Sequence, residues 1–561
     1  MMTVAVTGRV ARLVAFSFVL IGLLEPASAD AQQKDWHALA DADPVLQAMR
    51  RELERSKSEL KMDQIAAPYY IEYRVFDTDQ YSAEAAFGAL RGDVRARFRV
   101  LRVVVRVGDY KQDSYFGQGE GSIGFMPLDD DMLALRHALW LATDQAYKAA
   151  TESLTAKQSQ LKQLTIDQPV DDFARADPVQ SVAPLAKLEV DPQPWTSMLQ
   201  EASALYKTDP QIESFESSLK FQAINRFFVN SEGTIVRSGQ NLYEMTVSCA
   251  TQAADSMRLD RNHAFAVASL KELPSAKEFV ARAAKLATSL KELRDAPVVD
   301  EEYRGPVLFS ADASATVFAD LVGENILGNK PGLGKNARTT GSFAASYKTR
   351  VLPDFLSVVD DPTISSYRGH SVLGHYEIDD EGVPGQRVAV IEKGNLVNYV
   401  IGRTPIRDFP ASNGHGRTRI PNYPPGPSLS NLAVSSTQPV SEQELKKMLI
   451  DQCQKHDLAY CYRVETFGPK LTPRLLYKVW TKDGHEELVR GASFGDLDTR
   501  ALRSDLVAAG DDVYVDNRPL NIPHSIAAPS VLFDELEVKR ANINKEKLPE
   551  YPAPAALPSV K

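Results

Sequence analysis

The 561-residue sequence is short of cysteine and has no excess of positive charge. Beyond its first 24 residues it also has no long apolar run. Three Cys cannot brace a chain of this length as a disulfide framework. With 64 Lys+Arg against 74 Asp+Glu the net charge is −10. This excludes a nucleic-acid binder held by bulk charge, because neutralising phosphates needs a basic face. No later stretch is long and apolar enough for a membrane-spanning helix. There is no phosphate-cradling Gly loop ending in Lys-Ser/Thr. Internal repeats of about 20–50 residues are missing too. What remains, 43% hydrophobic and 25% charged, is the composition of a folded chain long enough for several cores.

Residues 1–29 read as an export signal. Arg9 and Arg12 make a basic start, Leu13 to Leu24 is an apolar run too short to span a membrane, and Ala27-Ser28-Ala29 offers a small-residue cleavage site. No Cys lies near that site, which excludes a lipobox anchor, and Arg9 and Arg12 are not adjacent, which disfavours a twin-Arg signal. The expected location is periplasmic or secreted, with a mature net charge of about −11.

The pattern of elements predicts an α+β fold in two lobes. The N-terminal lobe, residues 30–295, would place helices on a mixed sheet. Asp43-Pro44 opens a helix carrying Val45, Leu46, Met49, Leu53 and Leu60 on one face. Strands are expected over Tyr69 to Phe76 and Val94 to Val107. The second alternates, with Arg95, Arg97 and Arg99 on one face, read as solvated, and Val94, Phe98 and Val100 nearer the core. A long helix follows from Asp131 to Leu164, then a Pro- and Asp-rich connector to Pro194. Strands over Leu219 to Val229, Ile235 to Arg237 and Tyr243 to Thr251 come next, and a helix from Ala276 to Leu293 closes the lobe. The second lobe, residues 300–545, is dense in turn residues. It has strand candidates at Val388 to Glu392, Leu396 to Ile401, Ala459 to Thr466 and Leu475 to Thr481, and a helix from Glu442 to Lys455 started by Ser441 and Glu444. Residues 546–561 form a Pro-rich tail expected to be disordered.

The residues themselves leave several chemical readings open. Cys453 and Cys461 either pair or stay buried thiols, and Cys249 reads as core. His370 and His375 stand five apart in a loop, a poor metal spacing. Asp379-Asp380-Glu381-Gly382 could offer oxygen ligands to a hard cation, but reads first as a solvated turn with Gly supplying a positive φ.

In the second half the motifs become specific. Asp379-Asp380-Glu381-Gly382-Val383-Pro384, Gln386 and Val390-Ile391-Glu392-Lys393-Gly394-Asn395-Leu396 closely resemble a motif of the TldD/PmbA family, the modulator-of-gyrase metallopeptidase relatives. Gly414-His415-Gly416-Arg417, Ser430-Asn431-Leu432, Val489-Arg490-Gly491-Ala492, Val507 to Asp512 and Ala528-Pro529-Ser530-Val531-Leu532 resemble later family segments in the same order. In the first half, Asn230-Ser231-Glu232-Gly233-Thr234 and Arg106-Val107-Gly108-Asp109-Tyr110 fit exported members. The resemblance implies two lobes, the second mostly antiparallel and barrel-like, and a role in peptide cleavage.

It also implies where a zinc site would stand. TldD carries His-Glu-x-x-x-His on a helix after a strand and Gly-Pro, with a later Cys as third ligand. Here Gly305-Pro306-Val307-Leu308-Phe309 is that strand and Asp312 to Leu327 that helix. The six motif positions fall on Ala319-Asp320-Leu321-Val322-Gly323-Glu324, and no Cys follows Cys461. None of the three zinc ligands is kept, as in the PmbA-type (TldE) members that partner TldD. The expectation is therefore a chain with no metal or cofactor of its own. Zinc is expected only in a TldD-like partner of a heterodimer, a homodimer being the other form, with a peptide as substrate. The alternative is an active hydrolase built on Asp320 and Glu324, with His370, His375 or Asp380 in support; a non-catalytic scaffold is the third. Asp380, Glu381, Arg417 and Asn431 are the substrate-contact candidates. In a twin-lobed protein of this family the segment Arg417 to Pro427, with its Pro, Arg and Tyr, would suit a contact surface.

Overall fold

A computed structural model describes residues 37–62, 66–166, 169–418, 423–519, 522–542, 546–551 and 553–554. The export signal, the end of the Pro-rich tail (552 and 555–561) and the middle of the 417–427 segment lie outside the described residues.

The first half is built on α1 (Pro44–Glu59), β1 (Tyr70–Ala86), β2 (Ala89–Arg106), β3 (Ser122–Met126), α2 (Met132–Leu161), β4 (Gln180–Val182), α3 (Pro192–Ser203), β5 (Ile212–Asn230), β6 (Ile235–Gln252), β7 (Arg258–Val267) and α4 (Ala276–Asp295). The strands form one sheet in the order β3-β2-β1-β5-β6-β4, with β7 also on β6. Asp43 caps α1 by accepting from Val45 N and Leu46 N, and Ser275 with Glu278 forms a full capping box on α4. Helices cover one sheet face in two apolar clusters. Charged residues such as Glu72, Arg74 and Arg226 line the other.

Several expectations change here. The first two strands run much longer than expected, because Phe87 and Gly88 take φ of 54° and 77° and close a tight two-residue turn. The 235–251 region is a single strand, and the connector holds β4 and α3. On β2 the faces are reversed. Val94 and Phe98 are 58% and 37% exposed, whereas Arg99 is buried and Val100 stays in the core. Arg95 forks onto Asp79 at 3.1 and 2.8 Å, Arg97 onto Asp77 at 3.0 and 2.7 Å, and Arg99 reaches Asp77 at 2.7 Å. The Arg row is not a bare solvated face: the antiparallel register sets β1 carboxylates opposite it.

The second half contains β8 (Tyr303–Phe309), α5 (Ala311–Leu321), β9 (Leu356–Asp360), β10 (Val388–Glu392), β11 (Asn431–Ser436), α6 (Glu442–Lys455), β12 (Tyr460–Gly468), β13 (Thr472–Trp480), β14 (Glu486–Val489), β15 (Ala492–Phe494), α7 (Thr499–Ser504), β16 (Leu506–Gly510), β17 (Tyr514–Arg518), β18 (His524–Ala528) and β19 (Val531–Arg540). Two-residue strands extend two sheets. One runs 395–396, β10, β9, β11, β18, β17. The other runs 439–440, β16, β19, β8, β12, β13, β14, with β15 on β19. The barrel-like expectation resolves into two open sheets on a shared core, and none of the described sheets closes. Pairing is mostly antiparallel, with β8·β12, β11·β18 and 439–440·β16 parallel. Of the expected 396–401 strand, Leu396 pairs with Ile391 and Val400 makes an isolated bridge to Leu327, so no continuous strand forms. Cys453 and Cys461 form a disulfide with Cα atoms 6.1 Å apart, and Cys249 is buried in β6. The molecule is therefore α+β, with helices on one face of the first sheet and the second half against the other.

Candidate functional site

Helix α5 follows β8 as the family motif requires. Ser310 caps it, accepting from Ala313 N at 3.2 Å and donating to Glu465 O at 2.6 Å. Ala319, at the first motif position, is 4% exposed and packs in the main apolar core. The expected helix to Leu327 stops at Leu321, and Gly323–Asn325 is a separate 3-10 turn. Two local causes are visible: Asn325 Nδ2 donates back to Leu321 O at 2.9 Å, and Leu429 packs so closely that a Cβ on Gly323 would stand 2.8 Å from it. Asp320 and exposed Glu324 therefore do not share one continuous helical face. Asp320 lies 3.7 Å from Arg518, itself held by Asp516 at 2.6 Å. Burial raises the Asp320 pKa and Arg518 opposes the rise. Two turns earlier Asp312 is pushed up to about 6 by burial, then by the charges of Asp516 and Glu465. His370 is exposed, and His375 Nδ1 lies 3.0 Å from Pro362 O. Among the described residues no group of three or more His, Cys, Asp or Glu is placed to hold a metal ion.

The Asp379–Gly382 turn is different from its expected form. Gly382 does supply the positive φ, at 80°, but all three acids are buried rather than solvated. The reason is that amides and cations of the same half, joined by Arg226 from the first sheet, cover them. Asp379 Oδ1 accepts from Glu381 N at 2.9 Å and Val383 N at 2.8 Å, and its Oδ2 accepts from Gly416 N at 2.8 Å. Asp380 Oδ2 accepts from Arg417 Nε at 3.0 Å and Thr418 N at 2.9 Å, while its Oδ1 faces Arg226 Nε of β5 at 3.8 Å. Glu381 Oε2 accepts from Arg403 N at 2.5 Å. A Cβ on Gly416 would come within 2.0 Å of that oxygen, so only Gly fits there. Burial raises Asp379 and Glu381, Asp379 also through the charge of Glu381. Burial pushes Asp380 the same way, but Arg417 and Arg226 outweigh it and hold it low.

Among the substrate-contact candidates, Asp380, Glu381 and Arg417 converge on this turn. Arg417 is committed within the protein: it pairs with Asp380 and lies 4.1 Å over the Tyr376 ring. Asn431 has a separate place. It accepts from Gly374 N at 2.9 Å and donates to Asp361 O and Ile364 O at 2.9 and 3.1 Å, which pins the 361–374 segment. Asp380, Arg417, His375 and Tyr376 line a cavity of about 570 Å³ between the two halves, together with Arg226 and Gln240 of the first sheet. Asp320 and Glu324 do not line it.

Two features were not marked as chemistry in the sequence. Arg226 stands in an ordinary strand with nothing to mark it. Asp360, His415 and Ser430 meet in the core: His415 Nε2 is 3.0 Å from Asp360 Oδ1, and the Ser430 hydroxyl donates to the same oxygen. These are the residue types of a hydrolytic triad without its relay, since the hydroxyl bonds the carboxylate instead of the imidazole and all three are fully buried. The string Gly491-Ala492-Ser493-Phe494-Gly495 has nucleophile-elbow spacing, but Ser493 lies within strand β15 instead of on a strand-to-helix turn.

Residues 302–540 match the PmbA/TldA metallopeptidase C-terminal domain. Over 224 residues the chain is 28% identical to metalloprotease MJ0996 of Methanocaldococcus jannaschii, covering 39% of this chain and 45% of that one. It is 29% identical over 127 residues to a metalloprotease TldD homolog of Buchnera aphidicola, covering 22% and 24%. The alignments thus span less than half the length of these curated relatives. In fold the chain is similar to a modulator of DNA gyrase from Thermotoga maritima, with a TM-score of 0.59 at 15% identity over 87% of this chain and 100% of that one. It is equally similar to TldE from Thermococcus kodakarensis, with a TM-score of 0.58 at 14% identity over 88% and 99%. The chain, with its motif turn buried between two open-sheet halves, belongs to the metallopeptidase-related TldD/PmbA family.

Proposed function

We propose that the protein is an exported member of this family that holds no catalytic zinc and serves as a peptide-binding subunit of a metallopeptidase-type assembly. The observation that carries this reading is Ala319. At the position of the first motif histidine stands a methyl group packed in the core, which has no donor atom and no room for an imidazole. Asp320 faces Arg518, and Glu324 sits past the end of the helix. These residues do not fit a zinc site, which needs three protein ligands and an open position for water. The interlobe cavity is the place where this subunit would hold a peptide.

Elemental analysis of the mature protein, purified without chelator, should find no stoichiometric zinc; about one zinc per chain refutes the assignment. Intact mass from the periplasmic fraction should give a chain starting at Asp30 or Gln32. Sedimentation should show a dimer or a co-purifying homologue with an intact zinc motif, and peptidase activity should require that homologue. A monomer that cleaves peptides alone, and stops when Asp320 and Glu324 become Ala, would instead establish the hydrolase reading.

A further inference from the structure

Strand β6 is uncovered in the middle of one edge. Its first part is covered by β4 and its flanks: Ile235 N donates to Val179 O at 2.8 Å, and Ala183 N donates to Arg237 O at 2.9 Å. From Tyr243 onward β7 takes over, with Tyr243 opposite Val267. Residues of one parity in a strand turn both backbone groups to the same side. The β5–β6 ladder runs through this stretch without a bulge. Gly239 and Asn241 therefore aim their N–H and C=O groups at the same edge as Arg237 and Tyr243. Neither β4 nor β7 reaches them, and among the described residues these four groups have no backbone partner.

The interlobe cavity lies at this gap. Its lining runs from Ala183, where the cover by β4 ends, past Gly239 and Asn241 to Ala268, just beyond β7, with the 371–378 segment as the facing wall. Arg226 also faces it. Its Nη1 donates to Gln240 Oε1 at 3.2 Å, and its buried Nε has no hydrogen-bond partner. Asp380 is 3.8 Å from that nitrogen, and its carboxylate is already engaged by Arg417 at 3.0 Å. A buried guanidinium without a carboxylate at bonding distance is an unusual expense in a folded protein.

We propose that the gap docks an extended peptide bearing a Glu or Asp, which completes the sheet edge between β4 and β7 and delivers its carboxylate to Arg226. The open stretch from Ser238 to Leu242 is about 17 Å long, room for a strand of roughly five residues. The backbone groups of Gly239 and Asn241 supply its hydrogen bonds, as in strand addition to a sheet edge. A peptide residue set opposite Gln240 shows its side chain to the sheet face that carries Arg226. The covering strands on either side limit the guest to a short segment, so the open edge does not invite indefinite pairing. The proposal takes only its class of ligand from the reading above; zinc content and partner dependence test that reading separately.

The test is affinity selection from the library Ac-Xaa-Xaa-Glu-Xaa-Xaa-NH2 against its central-Gln counterpart, using the full mature protein. Glu members should be retained at least about tenfold more strongly, the share of one charge-assisted hydrogen bond. Arg226→Gln should abolish that preference and Arg226→Lys restore part of it, with unchanged circular dichroism confirming the fold. A retained peptide should slow hydrogen exchange at Gly239 and Asn241 but not at Gln240, and N-methylation of its alternate amides should abolish binding. No retention, equal retention of Glu and Gln members, or a preference that survives Arg226→Gln overturns the proposal. So does N-acetylglutamate binding as tightly as the pentapeptide, since the strand edge would then contribute nothing.

Discussion

At the scale of single residues, the buried charges decide how the molecule responds to mutation and pH. Asp380 is the hinge of the motif turn, facing Arg417 from its own half and Arg226 from the other. Asp380→Asn leaves the Arg417 guanidinium buried without its carboxylate, so urea unfolding should show a loss of about 3–5 kcal/mol, the range for breaking a buried pair. Because the folded pKa of Asp380 is depressed, its contribution is present above the unfolded value of about 3.9 and is lost as pH falls through the folded value. Asp312 has the opposite sign. Its folded pKa is raised to about 6, so its favourable share is full below about 4 and fades as pH rises through 6. In Asp312→Asn the difference in stability between pH 4 and pH 7 should shift by about 2 kcal/mol toward the higher pH. Melting curves at the two pH values check this, and an unchanged difference would mean the carboxyl titrates normally.

At the scale of elements, the sequence was readable wherever one periodicity governs. The helices at 44–59, 132–161, 276–295 and 442–455 were legible from caps and apolar spacing. The reversal on β2 was not, because alternation tells which residues share a face but not which face meets the core. Here the answer depended on Asp77 and Asp79 in another strand. The end of α5 was also hidden: the apolar pattern continues past Leu321, whereas the helix stops where Leu429 presses on Gly323. This element yields a sharp prediction about reversion. Ala319→His restores the first motif residue but forces an imidazole into a filled core, which should cost about 1–3 kcal/mol from overpacking alone. Differential scanning fluorimetry should show the lower melting temperature, and elemental analysis should show no gain of zinc. A variant of wild-type stability that takes up zinc would mean that the helix had kept a competent site.

At the scale of the whole molecule, the motif string identified the family but not the burial of its acids, because the partners that bury them lie far away in sequence. Glu381 shows the distance: its neighbours Arg403 and Gly416 come from the same half, and Glu72 and Arg74 from the first sheet. Arg403 is the clearest coupling element. Its guanidinium donates to Ala174 O at 3.0 and 2.6 Å, forks onto Glu232 at 2.8 Å through two nitrogens, and lies 4.0 Å over the Phe173 ring. All these partners belong to the first half of the chain, while Arg403 itself belongs to the second. A planar fork that satisfies a backbone carbonyl and a carboxylate together has no equivalent in Lys or Ala. Arg403→Ala should therefore lose about 3–5 kcal/mol and, more tellingly, should divide one calorimetric transition into two as the halves unfold separately. Arg403→Lys keeps the charge but loses the fork, and should fall between them. If Arg403→Ala still melts in a single transition of unchanged midpoint, cooperativity between the halves comes from the Asp379–Glu381 turn, and the same split should then appear in Asp380→Asn.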